Sequence, residues 1–193
     1  TPANPSACKW GGSAGTSLTQ QGTTIDVAAN GKASMFGLVA PAAESNTLYC
    51  AWGSNQDETM LGGVSMADVD QTTPTGTLAT GTGSDETPTV APTTVSGDEV
   101  VDAAFFLNTN CNNLTLLVGA GQTSRVEIEG ANVGCEALGM SNETAVGVST
   151  TMSWTISGAI TGGWATFALP LKAVTAGGLS IPVVMSQFNR RRL

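Results

Sequence analysis

Gly11-Gly12-Ser13-Ala14-Gly15 repeats, letter for letter, the G-x-S-x-G spacing that lifts a nucleophilic serine on a sharp turn in esterases. Such a serine needs a histidine to take its proton, and this sequence has none. The motif is therefore expected to be a glycine-rich turn. The same lack removes the commonest general base and the commonest metal ligand. Thr1 as a terminal nucleophile finds no supporting partner. Asp68 and Asp70 stand two apart at the end of an apolar run, where alternate side chains of a strand share a face. With Asp57, Glu58, Asp98, Glu99 and Asp102 they have the oxygen chemistry of a calcium site. No acidic loop, however, has the spacing of a calcium-binding motif. Asp68 and Asp70 are expected to accept hydrogen bonds from turn backbone as the chain leaves the strand and Gln71-Thr72-Thr73-Pro74 opens a loop. The expectation is no catalytic residue, no bound metal and no cofactor.

Cys8, Cys50, Cys111 and Cys135 form no C-x-x-C pair and match no zinc-finger spacing. Four cysteines allow three internal pairings; bridges between subunits and buried free thiols stay equally open. Asn113-Leu114-Thr115 and Asn142-Glu143-Thr144 fit the short glycosylation pattern. Tyr49, Trp10, Trp52, Trp154 and Trp164 suggest a sugar platform, yet all but Trp10 lie in strand patterns, where an aromatic belongs to the core.

The elements that would hold these residues are strands. Charged residues make up 11% of the 193, and Thr, Ser, Gly, Ala and Val replace the helix formers. The run 146–157 alternates: Val146, Val148, Thr150, Met152, Trp154 and Ile156 point one way, with small polar residues between them. After a glycine-rich turn, 164–172 alternates in the same manner, so the two segments are expected to form a hairpin. Val148, Met152, Trp154, Phe167 and Leu169 are expected in the core. Further strands are predicted at 33–40, 47–53, 59–67, 87–95, 99–107, 114–118 and 124–129, with a surface loop over 72–88. Many short strands punctuated by Gly, Asn and Pro predict an all-β fold, an antiparallel β-sandwich of jelly-roll type. The sandwich is expected over 1–173, with an extended tail over 174–193. No apolar run reaches the roughly 18 residues a membrane helix needs.

Net charge is −8, and Arg190, Arg191 and Arg192 supply three of the seven basic residues. The acidic body that remains is a poor match for phosphate, so no nucleic-acid partner is expected. In the tail, Leu179, Ile181, Val183 and Met185 alternate with Ser180, Pro182, Val184 and Ser186, and Phe188 follows. This face should bury itself extended on a sheet edge, preferably a neighbouring subunit's, with the arginines meeting an acidic surface. Pro182 cannot donate to a ladder, which argues for an edge rather than mid-sheet. Thr1-Pro2 opens the sequence without an initiator methionine, which predicts processing or trimming.

The succession "ACKWGG", "KASMFGLVAPAAESNTLYCAWGS", "MLGGVSMADVDQTTPTGT", "SGDEVVDAAFF", "VGAGQTSRVE" and "TTMSWTISGAITGGWATFALPLK" resembles a diffuse family of β-sandwich domains. These occur in tailed-phage structural genes and uncharacterised bacterial secreted proteins. The shared marks are the Val69-Asp70-Gln71-Thr72-Thr73-Pro74 corner, the turn from Val118 to Thr123 and the closing strand from Trp164 to Lys172. The resemblance spans about residues 8–173 and brings no catalytic residues. It implies one or two strands ahead of Cys8, whose place 179–188 would fill in its own sandwich or a neighbour's. It further implies a virion structural protein, a capsid decoration, cement or tail-surface protein at the virion surface. Its partners would be copies of itself and a major capsid or tail protein. The alternative is a secreted carbohydrate- or surface-binding module.

Overall fold

In this computed structural model the described residues are 2–27, 31–41, 45–56, 58–107, 114–129, 136–157, 160 and 162–174, with the backbone alone of Val183–Arg190. In chain order the strands are β1 (Pro5–Trp10), β2 (Thr16–Ser17), β3 (Thr19–Val27), β4 (Gly31–Leu38) and β5 (Leu48–Trp52). There follow β6 (Glu58–Ser65), β7 (Ala79–Gly83), β8 (Thr89–Val90), β9 (Glu99–Leu107) and β10 (Thr115–Val118). The last are β11 (Thr123–Ile128), β12 (Glu136–Thr144), β13 (Met152–Ser157), β14 (Gly163–Leu171) and β15 (Val183–Arg190). The paired strands are antiparallel throughout, and the fold is an all-β sandwich.

Its centre follows from two apolar runs. Glu-Val-Val-Asp-Ala-Ala-Phe-Phe-Leu in β9 and Gly-Trp-Ala-Thr-Phe-Ala-Leu-Pro-Leu in β14 are apolar on both alternating faces, so each needs cover on both sides. They pair with each other over nine residues and sit inside a five-stranded sheet, order β11-β12-β9-β14-β7. One face of this sheet packs Val101, Ala103, Phe105, Leu138, Met140, Phe167 and Leu169 against Val27, Ala33, Met35, Met60 and Val64 of the four-stranded sheet β3-β4-β15-β6. The opposite face packs Ala104, Phe106, Ala137 and Trp164 against Leu116, Trp154 and Ile156 of the three-stranded sheet β10-β13-β8. A second three-stranded sheet, β2-β1-β5, covers the outer side of the four-stranded one through Cys8, Phe36, Leu38 and Leu61.

Met152, Trp154, Phe167 and Leu169 are buried as expected, whereas Val148 is not. The strand predicted from 146 begins only at Met152, because the backbone before it is spent on another loop: Thr94 N–H donates to the Val148 carbonyl at 3.0 Å. The expected hairpin of 146–157 with 164–172 is corrected too. β13 pairs with β10 and β8, while β14 pairs with β9 and β7 in a different layer. The predicted loop 72–88 contains β7 and an isolated bridge, Thr75 to Leu171. Only Thr89–Val90 of the predicted strand 87–95 is regular.

The tail does not take an edge. β15 lies inside the four-stranded sheet of its own chain, paired with β4 on one side and β6 on the other. The ladder starts at Val183, after the proline, so the missing Pro182 donor does not forbid a central position. Val183, Met185, Phe188 and Arg190 are thus placed by backbone; Leu179, Ile181, Arg191 and Arg192 lie outside the described residues.

Candidate functional site

Most residues that looked chemical are engaged in structure. Ser13 sits exposed in a 3-10 turn, Gly12–Ala14, and its carbonyl accepts from Lys9 Nζ at 2.8 Å. Asp70 marks a corner: its Oδ1 accepts from the backbone N–H of Thr72 at 2.7 Å and of Thr73 at 2.8 Å. These two bonds, Thr73's first, outweigh partial desolvation and, with the Lys172 charge, hold its carboxyl below the usual aspartate value. Asp68 turns the chain at φ +57°, and its carbonyl accepts from Val174 N–H at 2.9 Å. Glu99 accepts from Asn142 and from Thr144 Oγ1, the latter at 2.7 Å. Among the described residues no three acidic or thiol side chains are grouped to hold a metal ion; Asp57 lies outside them.

Cys8 and Cys50 face each other across β1 and β5 and are joined by a disulfide; Cys111 and Cys135 lie outside the described residues. Asn142 is an unsuitable glycan acceptor. It is buried, its amide donates to Glu99, and its oxygen accepts from Arg125 Nε. Asn113 of the other sequon is outside the described residues.

Asp102, one of the oxygen groups considered for a calcium site, is wholly buried on β9. Its Oδ1 accepts from Ser141 N–H at 2.8 Å and from Ser141 Oγ at 2.6 Å, and its Oδ2 from Trp154 Nε1 at 2.8 Å. Gln122 extends the chain of bonds by donating to Ser141 Oγ at 2.7 Å and accepting from Ser153 N–H at 2.7 Å. Loss of water pushes the Asp102 carboxyl up to about 7, against the lowering effect of the Ser141 and Trp154 bonds. This group pins the three-stranded sheet β10-β13-β8 to the central one.

Two places on the surface remain for function. The first is an apolar tip. Val95, Val146 and Val148 are 71%, 89% and 82% exposed, in a chain whose other large apolar residues are mostly buried. The loops that carry them are laced together by polar bonds. Asp98 Oδ2 accepts from Val95 N–H at 2.9 Å, and Asp98 N–H donates to the Val95 carbonyl at 2.9 Å. Gly97, at φ +95°, allows the tight turn; its N–H donates to the Ala145 carbonyl at 2.9 Å. Thr94 Oγ1 donates to the Gly147 carbonyl at 2.8 Å. These bonds tie the two loops together, so the valines are presented on a preformed surface. Sequence patterning missed this, since Val146 and Val148 continue the alternation of β13. The available signals were the turn residues Ser96-Gly97-Asp98 and Gly147 between two valines.

The second is a shallow cleft of about 410 Å³ beside β5, lined by Tyr49, Trp52, Ser54, Asn55, Gln56 and Thr59. Tyr49 is exposed and Trp52 half-buried, whereas Trp154 and Trp164 belong to the core, Trp164 Nε1 donating to Asp85 Oδ1 at 3.3 Å.

No family model matches the chain, and no curated protein matches it. Among solved structures, that of infectious bursal disease virus, Gx strain, aligns with 92% of this chain at 13% identity and a TM-score of 0.12. The chain spans 50% of that structure's chain, and a likeness of this size carries no argument.

Proposed function

We propose that this chain is a non-catalytic structural subunit of a virion surface, a capsid decoration, cement or tail-surface protein of a tailed phage. It works without a cofactor, and its partners are copies of itself and a major capsid or tail protein. The observation that supports this reading is the tip formed by Val95, Val146 and Val148. Exposed valines on loops held together by their own hydrogen bonds contribute little to folding. They gain when a partner covers them, by roughly 1.5–3 kcal/mol for each one fully buried. A rigid, uncharged contact on an acidic body suits docking in fixed orientation on a lattice.

The test is a Val146→Asp, Val148→Asp double variant. Its folding stability should change by no more than about 0.5 kcal/mol, as for exposed positions. Its copy number on purified particles, counted by quantitative mass spectrometry, should fall at least about tenfold, since 1.4 kcal/mol already changes an equilibrium by that factor. Unchanged occupancy, or the absence of wild-type chain from particles, overturns the proposal.

A secreted carbohydrate- or surface-binding module is the second reading, and the Tyr49–Trp52 cleft favours it. Glycan binding by the free domain that is lost in Tyr49→Ala would replace the first reading with this one.

A further inference from the structure

We propose that the C-terminal strand is exchangeable, β15 of one copy filling the slot between β4 and β6 of a second copy. The occupant is thus another molecule of this chain. The inference rests on the structural-subunit reading only for where copies become crowded; exchange itself is a property of the purified chain.

The slot is defined by backbone pairing. β4 and β6 do not bond to each other, and β15 pairs with both along its whole length, from Val183 opposite Leu38 and Ser65 to Arg190 opposite Gly31 and Glu58. β4 has β3 on its other side, whereas among the described residues β6 ends the sheet and has β15 as its one ladder neighbour. Without β15 the sheet has two facing rows of unpaired N–H and C=O groups, one strand apart. That gap selects an extended segment. Its flanks carry Ala33, Met35, Met60 and Val64, all in the main core, so vacancy also exposes apolar surface. An empty slot is therefore costly, and any chemically identical strand satisfies it equally well.

The tether permits either source. The chain is fixed at its approach by Val174 N–H donating to the Asp68 carbonyl and by the Val69–Ala173 bridge. β15 begins opposite Ser65, three residues from Asp68, a span of at most about 11 Å at 3.3–3.6 Å per residue. The intervening sequence Thr-Ala-Gly-Gly-Leu-Ser-Ile-Pro has a contour of roughly 30 Å by the same measure. It is longer than the route within one chain requires. A tether of this length gives its own strand an effective concentration in the millimolar range. Dilute chains should thus fill their own slots. Copies held side by side at comparable local concentration should exchange, and the assembly gains linkage without any new kind of contact.

The test uses the full chain with Thr59→Cys and Asn189→Cys, register partners on β6 and β15, Thr59 being exposed. Isotopically heavy and light chains are mixed, cycled through mild denaturant to release strands, and then oxidised. Mass spectrometry reads whether the 59–189 cross-link joins two chains, with single-cysteine variants as the background for the natural cysteines. Mixed-isotope links should rise at least tenfold between about 10 µM and roughly 1 mM chain, around the tether's effective concentration. Links within single chains only, at every concentration, overturn exchange. Should the variant fail to fold, light scattering on the wild-type chain after the same cycle decides. Oligomers that persist on rapid dilution support exchange, and monomer alone overturns it. The virion reading fails separately, through particle occupancy: chains can exchange and still be absent from particles.

Discussion

The central sheet has two faces made from the same strands, and they are specified differently. Towards the four-stranded sheet, β9 presents Val101, Ala103, Phe105 and Leu107 to a cluster of apolar side chains from both sheets. Towards the three-stranded sheet β10-β13-β8, β9 presents Val100, Asp102, Ala104 and Phe106, so one carboxyl sits among apolar neighbours. The first interface selects its partner by shape and burial, which tolerate many arrangements of similar volume. The second selects by hydrogen bonding, which tolerates few. Trp154 must bring Nε1 to Asp102, and its ring lies where a side chain on residue 139 would stand. A Cβ added to Gly139 would fall 2.8 Å from the indole. The apolar face supplies strength, and the polar pin supplies register.

The largest effect should come from breaking the apolar face. Phe167 and Phe105 meet edge-on at 6.1 Å and both are fully buried. Phe167→Ala should cost about 3–5 kcal/mol in denaturant unfolding. The loss should be the same at pH 5 and pH 8, because the substitution removes only apolar contacts of Phe167. A strongly pH-dependent loss would break the distinction between the two interfaces.

The polar face should respond to pH instead. Asp102 has a folded pKa of about 7, above the ordinary 3.8, so between these values the folded chain holds a proton that the unfolded chain releases. Stability from this group is complete below the lower value and falls as pH rises to the upper one, by an amount on the order of a few kcal/mol. Asp102→Asn removes the titration, but its amide cannot accept the Trp154 N–H while its oxygen serves Ser141. The variant should be destabilised by roughly 1–3 kcal/mol at pH 5, with the deficit shrinking or reversing by pH 8. A variant that kept the wild-type slope would place the titration on another group.

The same contrast explains what the sequence disclosed. β9 was legible to its boundaries because nine nearly continuous apolar residues need burial on both sides. β12 was missed although its first seven residues are buried, since Gly139, Ser141 and Asn142 interrupt any apolar pattern. Those residues serve Trp154, Asp102 and Glu99, which are distant in sequence, and no local rule announces such partners. The hairpin error has the same root. Alternation at 152–157 and 163–171 shows that both segments are strands, but not that they lie in different sheets. Val148 marks the limit of periodicity, for its position is set by Thr94 across a loop rather than by its neighbours. For the tail, the apolar pattern disclosed a strand, while its place inside the sheet depended on a vacancy between β4 and β6 that only the three-dimensional pairing reveals.

The smallest effect sharpens the comparison by reversing its sign. Asp70 lies at the corner that leads from the four-stranded sheet along the end of β14, its N–H donating to the Lys172 carbonyl at 2.9 Å. Its carboxyl is exposed to water and receives two backbone N–H groups, so its folded pKa lies below 3.8 where that of Asp102 lies above. A lowered value contributes stability above the unfolded pKa, and that contribution is lost as pH falls through the folded one. Asp70→Ala should therefore lower the melting temperature slightly at neutral pH and leave it unchanged in strong acid, where the wild-type carboxyl is already protonated. The Asp102 slope lies above pH 3.8 and the Asp70 slope below it, with opposite signs. A melting-temperature profile of the wild type should consequently rise from strong acid, pass a maximum near the ordinary aspartate pKa and decline towards neutrality. In Asp70→Ala the acid limb should flatten and the neutral limb persist, and in Asp102→Asn the reverse. If one substitution flattened both limbs, the two carboxylates would be coupled, and the independence of the exposed corner from the buried pin would be lost.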